Sequence, residues 1–189
     1  MSSMEILLGE PSRLERLATD IHNQYVSACD ADPNRIQKAM VVCSNRKIAY
    51  ALLSKFKDKY PEWFEEKKVS DGTDVTDEEL NELKPMPLIA MVSSVGKNDE
   101  QDMYNYLGGV KNDKRSEELD AAFKQEKSNF HIVIVVDMWI TGFDVPCLTY
   151  LYNDKPLKKH LLIQTISRVN RKYPGKEYGM VIDYIGIRD

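Results

Sequence analysis

Five short apolar runs rich in valine and isoleucine set the tightest limit on the fold: residues 39–43, 88–92, 132–136, 148–152 and 180–184. Runs such as Ile132-Val-Ile-Val-Val136 are continuous rather than alternating, so each predicted strand must be covered on both faces. Helical spacings lie between most of them, over residues 45–57, 116–127 and 157–169, the first opening at a Ser44-Asn45 capping position. This alternation predicts an α/β domain: a three-layer open, mostly parallel sheet with helices on both faces and right-handed crossovers. Ligands of such sheets bind beyond the carboxyl ends of the strands.

A chain of 189 residues holds one substantial core. Residues 1–35 read as a lead-in helix and linker, because Leu14, Leu17, Ala18, Ile21 and Tyr25 share one helical face and Asp30-Ala-Asp-Pro33 stops it. Residues 36–189 form the domain, interrupted by an acidic insertion at about 60–87 that reads as partly disordered, and by a polar, glycine-containing stretch at 96–115. No apolar run approaches the roughly 20 residues that cross a bilayer, and a cytoplasmic protein without a membrane partner is expected. Cys29, Cys43 and Cys147 have no Cys-x-x-Cys spacing, so no zinc site or disulfide framework is expected. Net charge is -4, yet the stretch from Lys155 to Lys176 carries seven Lys and Arg and no acid. One basic edge on an acidic protein is the expectation.

A phosphate-binding loop of the Gly-x-x-x-x-Gly-Lys-Ser/Thr type is missing: Met91 and Asn170 stand where its first glycine would precede Gly96-Lys97 and Gly175-Lys176. Asp137 closes a strand as a magnesium-binding acid would, but Met138 follows it. The Glu65-Glu66-Lys67 stretch reads as a charged loop rather than a nuclease site, and His22, His131 and His160 have no catalytic setting. More chemistry lies in the last third. Gln164-Thr-Ile-Ser-Arg168-Val-Asn-Arg171 spaces a glutamine and two arginines four and three apart, on one helical face, with Ile163, Ile166 and Val169 expected to meet the sheet. Arginine on a rigid helix suits a transferring phosphoryl group. Upstream, the strand 132–136 runs into Thr141-Gly142-Phe-Asp144, a turn with a hydroxyl, a glycine and a carboxylate, with Asp144 expected at the carboxyl edge.

In this order the segments resemble motifs V and VI of superfamily 2 helicases, and Met40-Val-Val-Cys-Ser-Asn-Arg46 is similar to motif IV. The stretches 136–147, 151–157, 162–170 and 173–186 further resemble the R subunit of type I restriction-modification enzymes. The resemblance implies the second RecA-like domain of an ATP-dependent DNA translocase and endonuclease subunit, of the P-loop NTPase-type helicase fold. It implies catalytic roles for Arg171, as arginine finger, and Arg168; nucleotide binding or coupling for Gln164 and Asp144; and DNA backbone contacts for Ser44, Arg46, Thr141 and Gly142. It also implies ATP and Mg²⁺ held mainly by a first motor domain absent from this sequence, so that the chain reads as a fragment, inactive in isolation and itself without a metal site. Duplex DNA, that first RecA-like domain and the modification and specificity subunits are the implied partners. Two alternatives stay open: a scaffold domain with Arg168 and Arg171 in internal salt bridges, and a stand-alone enzyme holding metal with Asp137, Asp144 and Asp183.

Overall fold

The computed structural model describes residues 2–140 and 144–185. Among these residues, β1 (Lys38–Cys43), β2 (Ile89–Val92), β3 (Ile132–Val135), β4 (Leu148–Asp154) and β5 (Met180–Asp183) form one sheet in the order β2-β3-β1-β4-β5. Every pairing is parallel, with Ala39 opposite Ile132 and Tyr150 opposite Met180. Alternate strand residues feed two cores. Ala39, Val41, Ile89, Ile134 and Tyr152 join one; Met40, Val42, Ala90, Val135 and Leu151 join the other. Period-two alternation splits each apolar run between faces, which is why the runs had to be continuous.

Helices cover both cores. α1 (Ser3–Leu8) leads into α2 (Pro11–Ala31), which packs with α3 (Arg46–Lys59) on the first face through Leu14, Ile21, Ile48, Leu52 and Phe56. α2 is thus a full member of the fold's core rather than a lead-in beside it. After α4 (Asp77–Glu82) and α5 (Gln101–Tyr106), α6 (Asn112–Lys124) and α7 (Lys159–Val169) cover the second face through Leu119, Phe123 and Val169.

The two segments read as interruptions are ordered parts of this packing. In the acidic insertion, Trp63 is buried and stacks on Phe56 with ring centroids 5.6 Å apart, and Leu83 is buried as well. Lys127 grips Glu79 of α4 at 2.8 and 2.9 Å, and the Asn129 amide donates to Met86 O at 2.7 Å. Few but large apolar anchors hold a segment whose composition is dominated by charge. The 96–115 stretch, in turn, guards the β2 edge. Tyr106 Oη accepts the Met91 N–H at 2.9 Å, Arg115 donates to Met91 O at 3.0 Å, and the guanidinium lies 4.6 Å from the Tyr106 ring. Side chains therefore occupy the backbone groups that an open edge would offer to another strand.

Candidate functional site

At the carboxyl ends of β1, β2 and β3 a cleft of about 950 Å³ opens between Ser44–Lys47, Ser93–Ser94, the 98–100 turn and Asp137. Asn45 caps α3 by accepting the Ile48 N–H at 2.9 Å, which fixes Arg46 in the first turn of the helix. Arg46 Nη2 donates to Asp99 Oδ1 at 2.8 Å, and Asp99 Oδ2 accepts the Gly96 N–H at 2.6 Å. The Asp99 side chain is only 3% exposed, whereas that of Arg46 is 33% exposed and borders the cleft. Ser44 is drawn inward: its hydroxyl donates to Asp154 O at 3.1 Å. Beneath it, Asp154 is fully buried in a two-pronged pair with Arg13. Burial pushes the Asp154 carboxyl up, the Arg13 fork opposes this, and the same pair raises Arg13.

The residues expected to act on nucleotide lie elsewhere. α7 ends at Val169, with Asn170 as its cap, so Arg171 sits just beyond the helix rather than on its face. There it pairs with Asp144, both side chains being half-exposed. Asp144 is not at the carboxyl edge. Two and four residues on, Pro146 and Leu148 give their carbonyls to Lys176 Nζ at 3.1 and 2.7 Å, and Cys147 O accepts the Lys38 N–H at 3.0 Å, at the start of β1. β4 runs parallel to β1 and so begins at the amino edge, and Asp144 lies just before its first residue, Leu148. The expected residues therefore divide between two edges. Ser44 and Arg46 share the cleft, while Asp144 and Arg171 meet at the other end; Thr141 and Gly142 lie outside the described residues.

The phase of α7 also differs from expectation. Leu162, Thr165 and Val169 are buried, while Ile163 and Ile166 are 60% and 39% exposed. Thr165 can occupy the buried stripe because its hydroxyl donates to Leu161 O at 2.6 Å within the helix. Gln164 is exposed, and Arg168 is half-buried with an enclosed Nε that lacks a hydrogen-bond partner among the described residues. The basic edge is smaller than its composition. Lys176 is buried against carbonyls, and Lys155 pairs with Asp137. Asp137, Asp144 and Asp183 do not converge: the third accepts from Asn153 at 2.8 Å, and no group of metal-ligating side chains forms among the described residues.

The model of the family described as type I restriction enzyme subunit R domain 3 matches residues 37–186. The chain belongs to this family. A Methanocaldococcus jannaschii protein named as the MjaIXP endonuclease subunit of a type I restriction enzyme is 40% identical over 153 residues, which are 80% of this chain and 12% of that protein. The HindI endonuclease subunit of Haemophilus influenzae is 32% identical over 186 residues, or 97% of this chain and 16% of that subunit. The chain thus spans a small part of the relatives it matches. Among solved structures, a fragment described as an HsdR subunit of a type I restriction enzyme from Vibrio vulnificus YJ016 aligns over 97% of this chain and 29% of its own, with a TM-score of 0.54 at 16% identity. T4 UvsW aligns over 98% of this chain and 28% of its own, with a TM-score of 0.50 at 17% identity. The R-subunit domain therefore has the RecA-like α/β fold.

Within this R-subunit domain, sequence reasoning missed Asp99 and Gly96, which hold Arg46. The signal was present as a Gly-x-x-Asp turn after β2, but the partner lies 53 residues away. It missed Lys38 as well. That lysine is fully buried at the start of β1, donates to Phe123 O and Gln125 O at 2.6 and 2.9 Å, and is lowered by burial to about 8. These carbonyls close α6, so the ammonium takes the place of a helix cap.

Proposed function

We propose that this domain is the second RecA-like motor domain of an ATP-dependent DNA translocase, the R subunit of a type I restriction enzyme. In this reading Arg171 completes an ATP site whose phosphate-binding loop and Mg²⁺-holding acid belong to the first motor domain. Arg168 and Gln164 assist in contacting or coupling to the nucleotide, Asp144 relays its state, and Arg46, Ser44, Thr141 and Gly142 follow the DNA backbone. The modification and specificity subunits are its partners in the complex. One observation carries the reading: Arg171 stands past the end of α7 in a half-exposed pair with Asp144. Such pairs contribute about 0–1 kcal/mol, so Arg171 can leave Asp144 at little cost. A phosphoryl group offers the planar guanidinium fork a stronger, two-pronged partner.

The same ion pair favours a second reading, a scaffold domain that keeps the fold without motor chemistry. The discriminating comparison is Arg171→Ala and Arg171→Lys in a full-length R subunit, by melting temperature, nucleotide affinity and turnover. Arginine fingers contribute about 10³ to 10⁵ in rate. The motor reading expects turnover and translocation to collapse by that order in Arg171→Ala, with melting almost unchanged and weak rescue by lysine. Normal turnover in Arg171→Ala selects the scaffold.

A further inference from the structure

We propose that Asp99 is a positioning residue for DNA engagement: with Gly96, it fixes the Arg46 guanidinium at the mouth of the carboxyl-edge cleft, in the orientation from which Arg46 meets a phosphate of duplex DNA. The proposal rests on the reading of Arg46 as a phosphate contact and adds to it the device that aims the side chain.

Three observations support it. First, both Asp99 oxygens are engaged, one by the Gly96 N–H at 2.6 Å and one by Arg46 Nη2 at 2.8 Å. The Asp99 N–H in turn donates to Gly96 O at 3.3 Å, so the turn is closed in both directions and its carboxylate is a fixed point. Second, the guanidinium lies directly over Gly96. A Cβ there would stand 2.0 Å from Nη2 and 2.7 Å from Cζ, so any side chain at 96 would push Arg46 out of this position. Third, the holder is buried while the held group is not. The Asp99 side chain is 3% exposed and that of Arg46 33% exposed, with one edge of the fork bound and the rest bordering the cleft.

A free arginine loses rotamer freedom when it binds phosphate; one held in advance has already lost it. The device also links the first turn of α3, after β1, to the turn that follows β2. A structural salt bridge would need neither the open third of Arg46 nor its place on the cleft wall.

The test exploits opposite signs. Asp99→Asn removes a negative charge from beside the cleft, so general electrostatic attraction predicts tighter DNA binding. Positioning predicts weaker binding, because Arg46 is released. Gly96→Ala displaces the same guanidinium while leaving the Asp99 charge in place. Anisotropy titrations of unrelated duplexes at several salt concentrations would compare Arg46→Ala, Asp99→Asn, Gly96→Ala and the Arg46→Ala/Asp99→Asn double variant in a full-length R subunit, with melting temperatures measured alongside. Each single variant is expected to lose about 5- to 10-fold in affinity, and Arg46→Ala to reduce the salt slope by about one. The double variant should bind no more weakly than Arg46→Ala alone. Unchanged or tighter binding by Asp99→Asn and Gly96→Ala beside a weakened Arg46→Ala overturns the positioning role, as do additive losses in the double variant. An Arg46→Ala variant with normal affinity and slope overturns the phosphate-contact reading and the proposal with it.

Discussion

His131 shows how far a side chain's behaviour departs from its sequence surroundings. It lies half-buried just before β3, with Nδ1 3.2 Å from the Tyr25 hydroxyl, which itself donates to Gln37 O at 2.6 Å. Burial, and then the positive charge of Lys38, lower its pKa from 6.5 to about 3. The unfolded chain takes up this proton near pH 6.5, while the folded protein refuses it until about pH 3. Stability from this group is therefore fully present above pH 6.5 and is lost as pH falls from there toward 3. Urea unfolding of the protein and of His131→Asn between pH 7.5 and 4.5 should show the gap between them narrowing as the pH drops. Parallel curves would mean that His131 titrates normally in the fold. Nothing local in Phe130-His131-Ile132 announces this; it follows from burial in the fold and from Lys38, which arrives from a distant part of the chain.

At the scale of an element, α7 was legible as a helix but not in its orientation. Two apolar stripes at helical spacing compete within it, Ile163-Ile166-Val169 and Leu162-Thr165-Val169, and hydrophobicity alone favours the first. The sheet selects the second. The helix must also bring Arg171 to Asp144, and Thr165 satisfies its own hydroxyl, so its burial costs little. The two faces should therefore respond oppositely to substitution. Leu162→Ala is expected to cost about 2–4 kcal/mol, while Ile163→Ser should stay within about 0.5 kcal/mol. Chemical denaturation of both variants measures this, and a reversed ranking would restore the isoleucine face to the core.

At the scale of the whole molecule, charge is arranged more sparingly than its distribution along the chain suggests. Lys176 is turned inward, Lys155 and Arg171 are matched by Asp137 and Asp144, and Arg46 by Asp99. The 189-residue protein should therefore bind duplex DNA weakly, without sequence preference, and release it steeply as salt rises. It should also release no phosphate from ATP, because its sequence has no phosphate-binding loop. Filter binding over a salt series and a coupled phosphate assay test both, and tight, salt-resistant or sequence-selective binding would contradict this account of its charge. The five apolar runs were enough to determine the parallel, two-sided sheet, because continuous hydrophobicity in short strands can be buried only between two helical layers. The candidate site residues could be named one by one from the sequence, as expectations. Only the tertiary structure decided that they divide between two edges, that an acidic insertion is anchored by Trp63, and that Asp99 and Gly96 hold Arg46. Strand periodicity is a local property read along the chain, whereas an ion pair across 53 residues depends on where crossovers deliver their loops.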